Sequence, residues 1–385
     1  MEKFSRYRDP GSGIQVFLPP VLPVGSRNPL VTIFTPLAVL LGLVRTILLL
    51  ATILLWSIFG VTLGNLSSEI QANLTSLFGR VALFIIGYAW ISPEIVLLRN
   101  RGRATNTRPV AYAPGTGDVI VTNWSSWVEV LWLAISFAPV FALPVVDGND
   151  YDAPPAPERK SGRPSGAKNL RQRAGGVASD ATDGPKRKIL GFRRVNWIIA
   201  ARAVGQLPTV KTKNVECVPL DQICADANGP VVLFPEGVTS NNRALLRPAG
   251  CFPQSWRQAF KLTAALRLGG NSPKLFLASF KHGPPTAGSV SSVVSVSSSF
   301  ASPWPHVWSI CCSLTFNRDF QIRLLHPAES PTSASFIGDA AAAAMAREDP
   351  VSDACLTIIS SLSRLRRTEI GWEDKESFMQ IYKRR

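Results

Sequence analysis

The sequence predicts an α/β domain, a central mixed sheet flanked by helices, set behind an N-terminal membrane hairpin. Three observations lead there. Short apolar runs of strand length alternate with longer helical stretches through residues 104–327. Residues 31–64 are apolar apart from Arg45. The chain is 46% hydrophobic but only 17% charged, with a net charge of +15. That pairing excludes a wholly disordered chain, which needs low hydrophobicity. It also argues against nucleic acid as a partner and for a lipid bilayer, where excess cations meet anionic headgroups.

The hairpin comes first in the chain. Thr46 to Gly64 carries no charge, and a helix needs about 20 residues to cross the hydrocarbon core. Residues 31–44 contain Pro36 and are too short to span alone, so they tilt or lie at the interface. A second apolar run, Val81 to Leu98, is broken by Pro93 and Glu94; it spans, or enters and returns. Two buried core helices are the alternative. Lys3, Arg6, Arg8 and Arg27 precede the first run, and Arg99, Arg101, Arg103 and Arg108 follow the second. Residues 65–79 between them hold no Lys or Arg. The positive-inside rule then places both ends in the cytosol. Two sequons, at Asn65 and Asn73, fall in this segment; they are acceptors if it is luminal, or chance matches.

The rest of the chain reads as follows. Residues 1–30 form a cytosolic segment and 31–98 the membrane-embedded region. Residues 104–146 and 189–327 make the domain, interrupted at 147–188 by a Gly-, Pro- and Ser-rich stretch expected to be disordered. Its basic end (Lys186, Arg187, Lys188, with Arg193 and Arg194 beyond) touches headgroups or is simply solvated. Residues 328–350 are a linker, and 351–385 a basic amphipathic helix that packs on the domain or lies on the membrane. Within the domain, Asp118–Thr122, Val231–Phe234, Leu275–Phe280, Ile310–Phe316 and Gln321–Leu325 read as strands. Residues 124–137, 195–206 and 255–268 read as helices, and 283–305 as loop. The six cysteines show no paired spacing; they are read as reduced thiols, with no metal site.

The most informative segment is FPEGVTSNNRALL, residues 234–246. A buried strand ends in Pro-Glu-Gly and a polar turn follows, at the strand end where α/β folds place their sites. Gly237 permits close backbone approach to a ligand. Glu236 and Arg243 offer a carboxylate and a guanidinium in one loop, and a guanidinium can grip phosphate. An ordinary turn with a surface ion pair is the competing reading.

This segment resembles the third motif of glycerophosphate and lysophospholipid acyltransferases, the PlsC-like superfamily. The order of other features agrees: an apolar anchor, the strand–Asn–helix element VIVTNWSSWVEV, an Arg-bearing stretch at IIAARAVGQLP, and LFLASFKHGPP after the loop. The tail IGWEDKESFMQIYKRR is similar to that of fungal lysophosphatidate acyltransferases linked to vacuolar sorting and lipid droplets. The resemblance implies acyl transfer from acyl-CoA, a co-substrate rather than a bound cofactor, to a lysophospholipid. The setting it implies is the endoplasmic reticulum or a lipid droplet, with the domain cytosolic. It implies that Arg243 binds the acceptor phosphate, although Thr239 stands where one common pattern puts the Arg. Glu236 and Gly237 belong to the same substrate loop, and Asn123 would cap the motif helix.

One departure matters. Trp124 stands where the family has its basic His, and Glu129 where it has Asp. Indole donates but cannot accept a proton. Glu129 then becomes the candidate catalytic group, acting directly or through water. A lipid-binding relative that has lost catalysis is the alternative. His282 follows a strand and is read as a solvated turn residue rather than part of the site.

Overall fold

The computed structural model describes residues 4–22, 33–63, 67–98, 111–148, 188–263, 265–266, 272–297, 304–333, 336 and 348–383. Its centre is a mostly parallel sheet flanked by helices. The strands are β1 (Pro93–Val96), β2 (Val119–Thr122), β3 (Val140–Val146), β4 (Ile189–Val195), β5 (Thr209–Val210), β6 (Val231–Leu233), β8 (Leu275–His282) and β9 (Phe320–Leu325). Their order is β1-β9-β8-β2-β6-β3-β4, with β5 on β3. The β3–β4 and β8–β9 pairs are antiparallel, and the others are parallel. A separate short pair joins β7 (Ala244–Leu245) to β10 (Arg366–Arg367).

Covering both faces explains why the central strands are continuous apolar runs. All four residues of β2 are buried. Ile120, Val232 and Ala278 join one core, with α2 (Ser68–Ile85) and α3 (Trp127–Phe137). Val119, Val121, Val231, Leu233, Leu275 and Leu277 alternate into the other. That second face is closed by α5 (Leu220–Asp226), α6 (Gln254–Thr263) and α8 (Pro350–Ser363). From α8 alone, Leu356, Ile358, Ile359 and Leu362 are buried, each contributing about 1.5–3 kcal/mol. Its start is capped by Asp349, which accepts from the Ser352 amide at 3.1 Å.

Helix α1 (Thr35–Leu63) contains, among the described residues, the one helix segment long and apolar enough to cross a bilayer, Thr35–Gly60, with a mean hydropathy of 2.5. Its lone charge has a local task. Arg45 is buried and donates to the carbonyls of Ser313 (2.6 Å), Thr315 (3.2 Å) and Cys311 (3.3 Å). These follow or end α7 (Trp304–Cys311), so the guanidinium ties α1 to the domain. Trp56 of α1 also meets Trp197 of α4 (Trp197–Arg202) edge to face.

Several expectations are corrected. Val81–Leu98 is not a second membrane segment. Its first part ends α2, which packs on α3, and its last part is β1, paired with β9. Residues 68–79, within the segment expected to join the two apolar runs, begin α2, whose N-cap is Ser67. Ile310–Phe316 is the end of α7 and a loop, not a strand. The tail is not one helix but α8, β10 and α9 (Trp372–Lys383). Glu94, next to the strand-starting Pro93, pairs with Arg323 at 3.3 Å. The expected insert lies outside the described residues between 149 and 187, as do Asn65 and most of the 328–350 linker.

Candidate functional site

The site is built where β2, β6 and β8 end side by side. Parallel pairing puts Thr122 opposite Ala278 and Val121 opposite Leu233. The residues that follow each strand therefore emerge together. Asn123 bonds the neighbouring strand: its Nδ2 donates to the Phe280 carbonyl at 2.9 Å and its Oδ1 accepts the Phe280 amide at 2.8 Å. It does not cap α3, as expected; Ser126 does, in a capping box with Glu129.

Glu129 is fully buried and heavily bonded. Its carboxylate accepts the amides of Ser125 (2.8 Å) and Ser126 (3.2 Å) and the Ser125 hydroxyl. The His282 Nε2 lies 2.9 Å from its Oε1. The expected solvated His282 is thus overturned: the side chain is 1% exposed. The other two histidines are placed elsewhere. His306 bonds Trp127 and the Ser291 carbonyl, and His326 accepts the Ala328 amide.

Trp124 is also buried. Its ring stacks on Phe234 at 4.4 Å, and its indole N–H finds no partner. Its backbone is pinned to the loop: the amide donates to Glu236 at 3.4 Å and the carbonyl accepts the Ser240 amide at 3.1 Å.

Glu236 and Arg243 do not pair as the sequence allowed. Glu236 is fully buried and accepts the Leu246 amide at 2.8 Å, bracing the loop from within. Burial pushes its carboxyl up to about 8, offset by its two amide bonds. Arg243 is exposed, which leaves its guanidinium open to an anion. Gly237 has a φ of 72°, but the space a Cβ would fill is bounded by Ala249, Pro144 and Trp372. Its glycine serves the turn and protein packing there.

Two linking residues carry no motif signal. Asn242 adopts a φ of 59°. Its Nδ2 donates to the Ser125 hydroxyl (3.0 Å) and the Phe280 carbonyl (3.1 Å), and its Oδ1 accepts the His282 amide (3.0 Å). It fastens the Arg243 loop to both other strand ends. Lys375 of α9 is fully buried and donates to the Thr239 carbonyl (2.8 Å) and hydroxyl (2.9 Å). Burial lowers it to about 7, with Glu236 acting the other way. A cation on the apolar stripe Trp372, Lys375, Phe378, Met379 was the one available sequence signal. The loop is further held by the chain's N-terminal segment, where the Asn241 amide donates to the Val16 carbonyl at 2.9 Å. Phe17 and Phe378 pack nearby in the same core.

The arrangement unites a buried carboxylate–imidazole pair, an exposed guanidinium and the side chains that fix their relation. Among known proteins, the chain is similar to a Schizosaccharomyces pombe protein named "Putative lysophosphatidic acid:oleoyl-CoA acyltransferase". Identity is 22% over 382 residues. The similarity runs end to end. It covers 98% of this chain and 97% of the relative, and it supports an acyltransferase relationship in general. No family model matches the chain, and no solved structure matches it.

Proposed function

We propose that the protein transfers a fatty acyl chain from acyl-CoA to a lysophospholipid, with lysophosphatidate as the leading acceptor. The observation that carries this reading is the bracing by Asn242. It holds the Arg243 loop and the Ser125–Glu129–His282 cluster in one relation. Such a transfer needs the acceptor's phosphate gripped while its hydroxyl is aimed and deprotonated. Arg243 would take the phosphate, while Glu236 and Gly237 shape the loop and Asn123 ties β2 to β8. The name of the distant relative points the same way.

The apolar helix α1 suits a membrane setting. We assign the domain to the cytosolic face of that membrane, as the resemblance to the acyltransferases implies. The endoplasmic reticulum and lipid droplets follow from the tail's resemblance. Acyl-CoA is a co-substrate here, and the chemistry invokes no metal or prosthetic group. A second reading, a lipid-binding relative without turnover, rests on Trp124.

A panel of lysophospholipids offered with acyl-CoA to the detergent-purified chain separates the two. Turnover should be highest with the phosphomonoester acceptor. Arg243→Ala should raise KM for it about 10- to 100-fold, the loss of a charge-assisted hydrogen bond or two. Acceptor binding without CoA release would favour the second reading.

A further inference from the structure

We propose that His282 is the general base of the transfer, supplied by β8 in place of the imidazole that position 124 lacks. The inference rests on the acyltransferase reading above and names the atom that does its proton chemistry, Nδ1.

The geometry assigns the atom in three steps. First, the carboxylate of Glu129 already receives two amides and a hydroxyl, so it acts as an acceptor toward its fourth neighbour. The His282 Nε2 must then be the donor, and in the neutral ring the lone pair lies on Nδ1. Second, the ring is fixed on its other sides. Phe320 stacks on it at 4.6 Å and 13°. Its backbone amide is held by Asn242 at 3.0 Å. Third, Nδ1 is buried and has no hydrogen-bond partner. An unpaired buried polar atom costs about 1–3 kcal/mol, and a purely structural histidine gains nothing by it. A substrate hydroxyl would satisfy that atom.

Glu129 is accordingly a positioning residue: saturated by its donors, it holds the imidazole in one tautomer and favours the imidazolium once formed. The step balances within the two substrates. The Nδ1 lone pair takes the proton of the acceptor hydroxyl while that oxygen bonds to the thioester carbonyl carbon. The tetrahedral adduct collapses, the carbon–sulfur bond breaks, and the imidazolium returns its proton to the departing thiolate. The ester and free CoA thiol leave, with His282 neutral again.

The test uses the full chain in detergent and two substitutions. In His282→Gln the side-chain amide can replace the Nε2 donor to Glu129 but offers no nitrogen lone pair. Its thermal midpoint should stay near wild type and KM for the acceptor within about threefold, while kcat falls about 10²- to 10⁴-fold. In His282→Ala, added imidazole should restore part of the lost kcat, with the rescued rate tracking the concentration of the unprotonated base. A wild type that turns over and a His282→Gln variant that matches it would overturn the assignment alone. So would His282→Ala losing kcat with no response to imidazole in a chain that stays folded. A wild type that transfers no acyl group to any lysophospholipid would overturn the underlying reading as well.

Discussion

Asn242→Ala tests whether the loop and the two strand ends work as one unit. Asn242 makes three side-chain hydrogen bonds, but their loss is unequal. The Phe280 carbonyl keeps its bond from Asn123. The Ser125 hydroxyl still donates to Glu129. Only the His282 amide loses its acceptor, which costs about 1–3 kcal/mol. The backbone adds to this, because φ is 59° and alanine tolerates the left-handed region worse than asparagine, by about 1 kcal/mol. The total is about 2–4 kcal/mol. Asn242→Gly avoids the backbone share and should be about 1 kcal/mol less destabilised than Asn242→Ala. Both release the His282 backbone, and a misplacement of about 1 Å can cost about 10²-fold in rate. Thermal unfolding and steady-state acyl transfer, run on both variants, give the two numbers. Equal stability of the two variants would refute the backbone argument. A kcat within about threefold of wild type in both would refute the claim that Asn242 positions the site.

Two further outcomes follow from buried groups. The Lys375 amine is depressed to about 7 in the fold against about 10.4 unfolded. Its stabilising contribution is therefore present above the unfolded value and lost as pH falls through about 7. The stability gap between wild type and Lys375→Met should shift toward wild type as pH rises from about 7 to about 10, by up to about 1.4 kcal/mol per unit; denaturant titrations showing a constant gap would contradict the buried amine. Trp124→Phe keeps an aromatic ring on Phe234 and deletes an indole N–H that has no partner. It should stay within about 1.5 kcal/mol of wild type and keep most of its kcat, whereas Trp124→Ala should lose about 3–5 kcal/mol in a melting experiment.

Much of the sheet was legible because its central strands are buried on both faces. Val119–Val121, Val231–Leu233 and Leu275–Ala278 therefore appear as unbroken apolar runs. β1 was hidden because Val81–Leu98 joins a helix end to an edge strand in one apolar stretch. The β3–β4 pair was missed for another reason: its two strands are separated by the long polar stretch between them. In the site, the Arg243 loop was readable from local motif spacing. His282 was not, because its partner Glu129 lies 153 residues away in sequence. Its position follows from strand register, Thr122 beside Ala278, which brings the residues past each strand together. Asn123 misled for the same reason, being read against its own helix when it bonds Phe280 across the sheet.

The most direct measurement is parallel quantification of free CoA thiol and diacyl product when the full wild-type chain is given oleoyl-CoA and lysophosphatidate in detergent micelles. The account predicts one thiol released per phosphatidate formed, at a rate well above a protein-free blank. Lysophosphatidate bound but never esterified, with no thiol released, would contradict it.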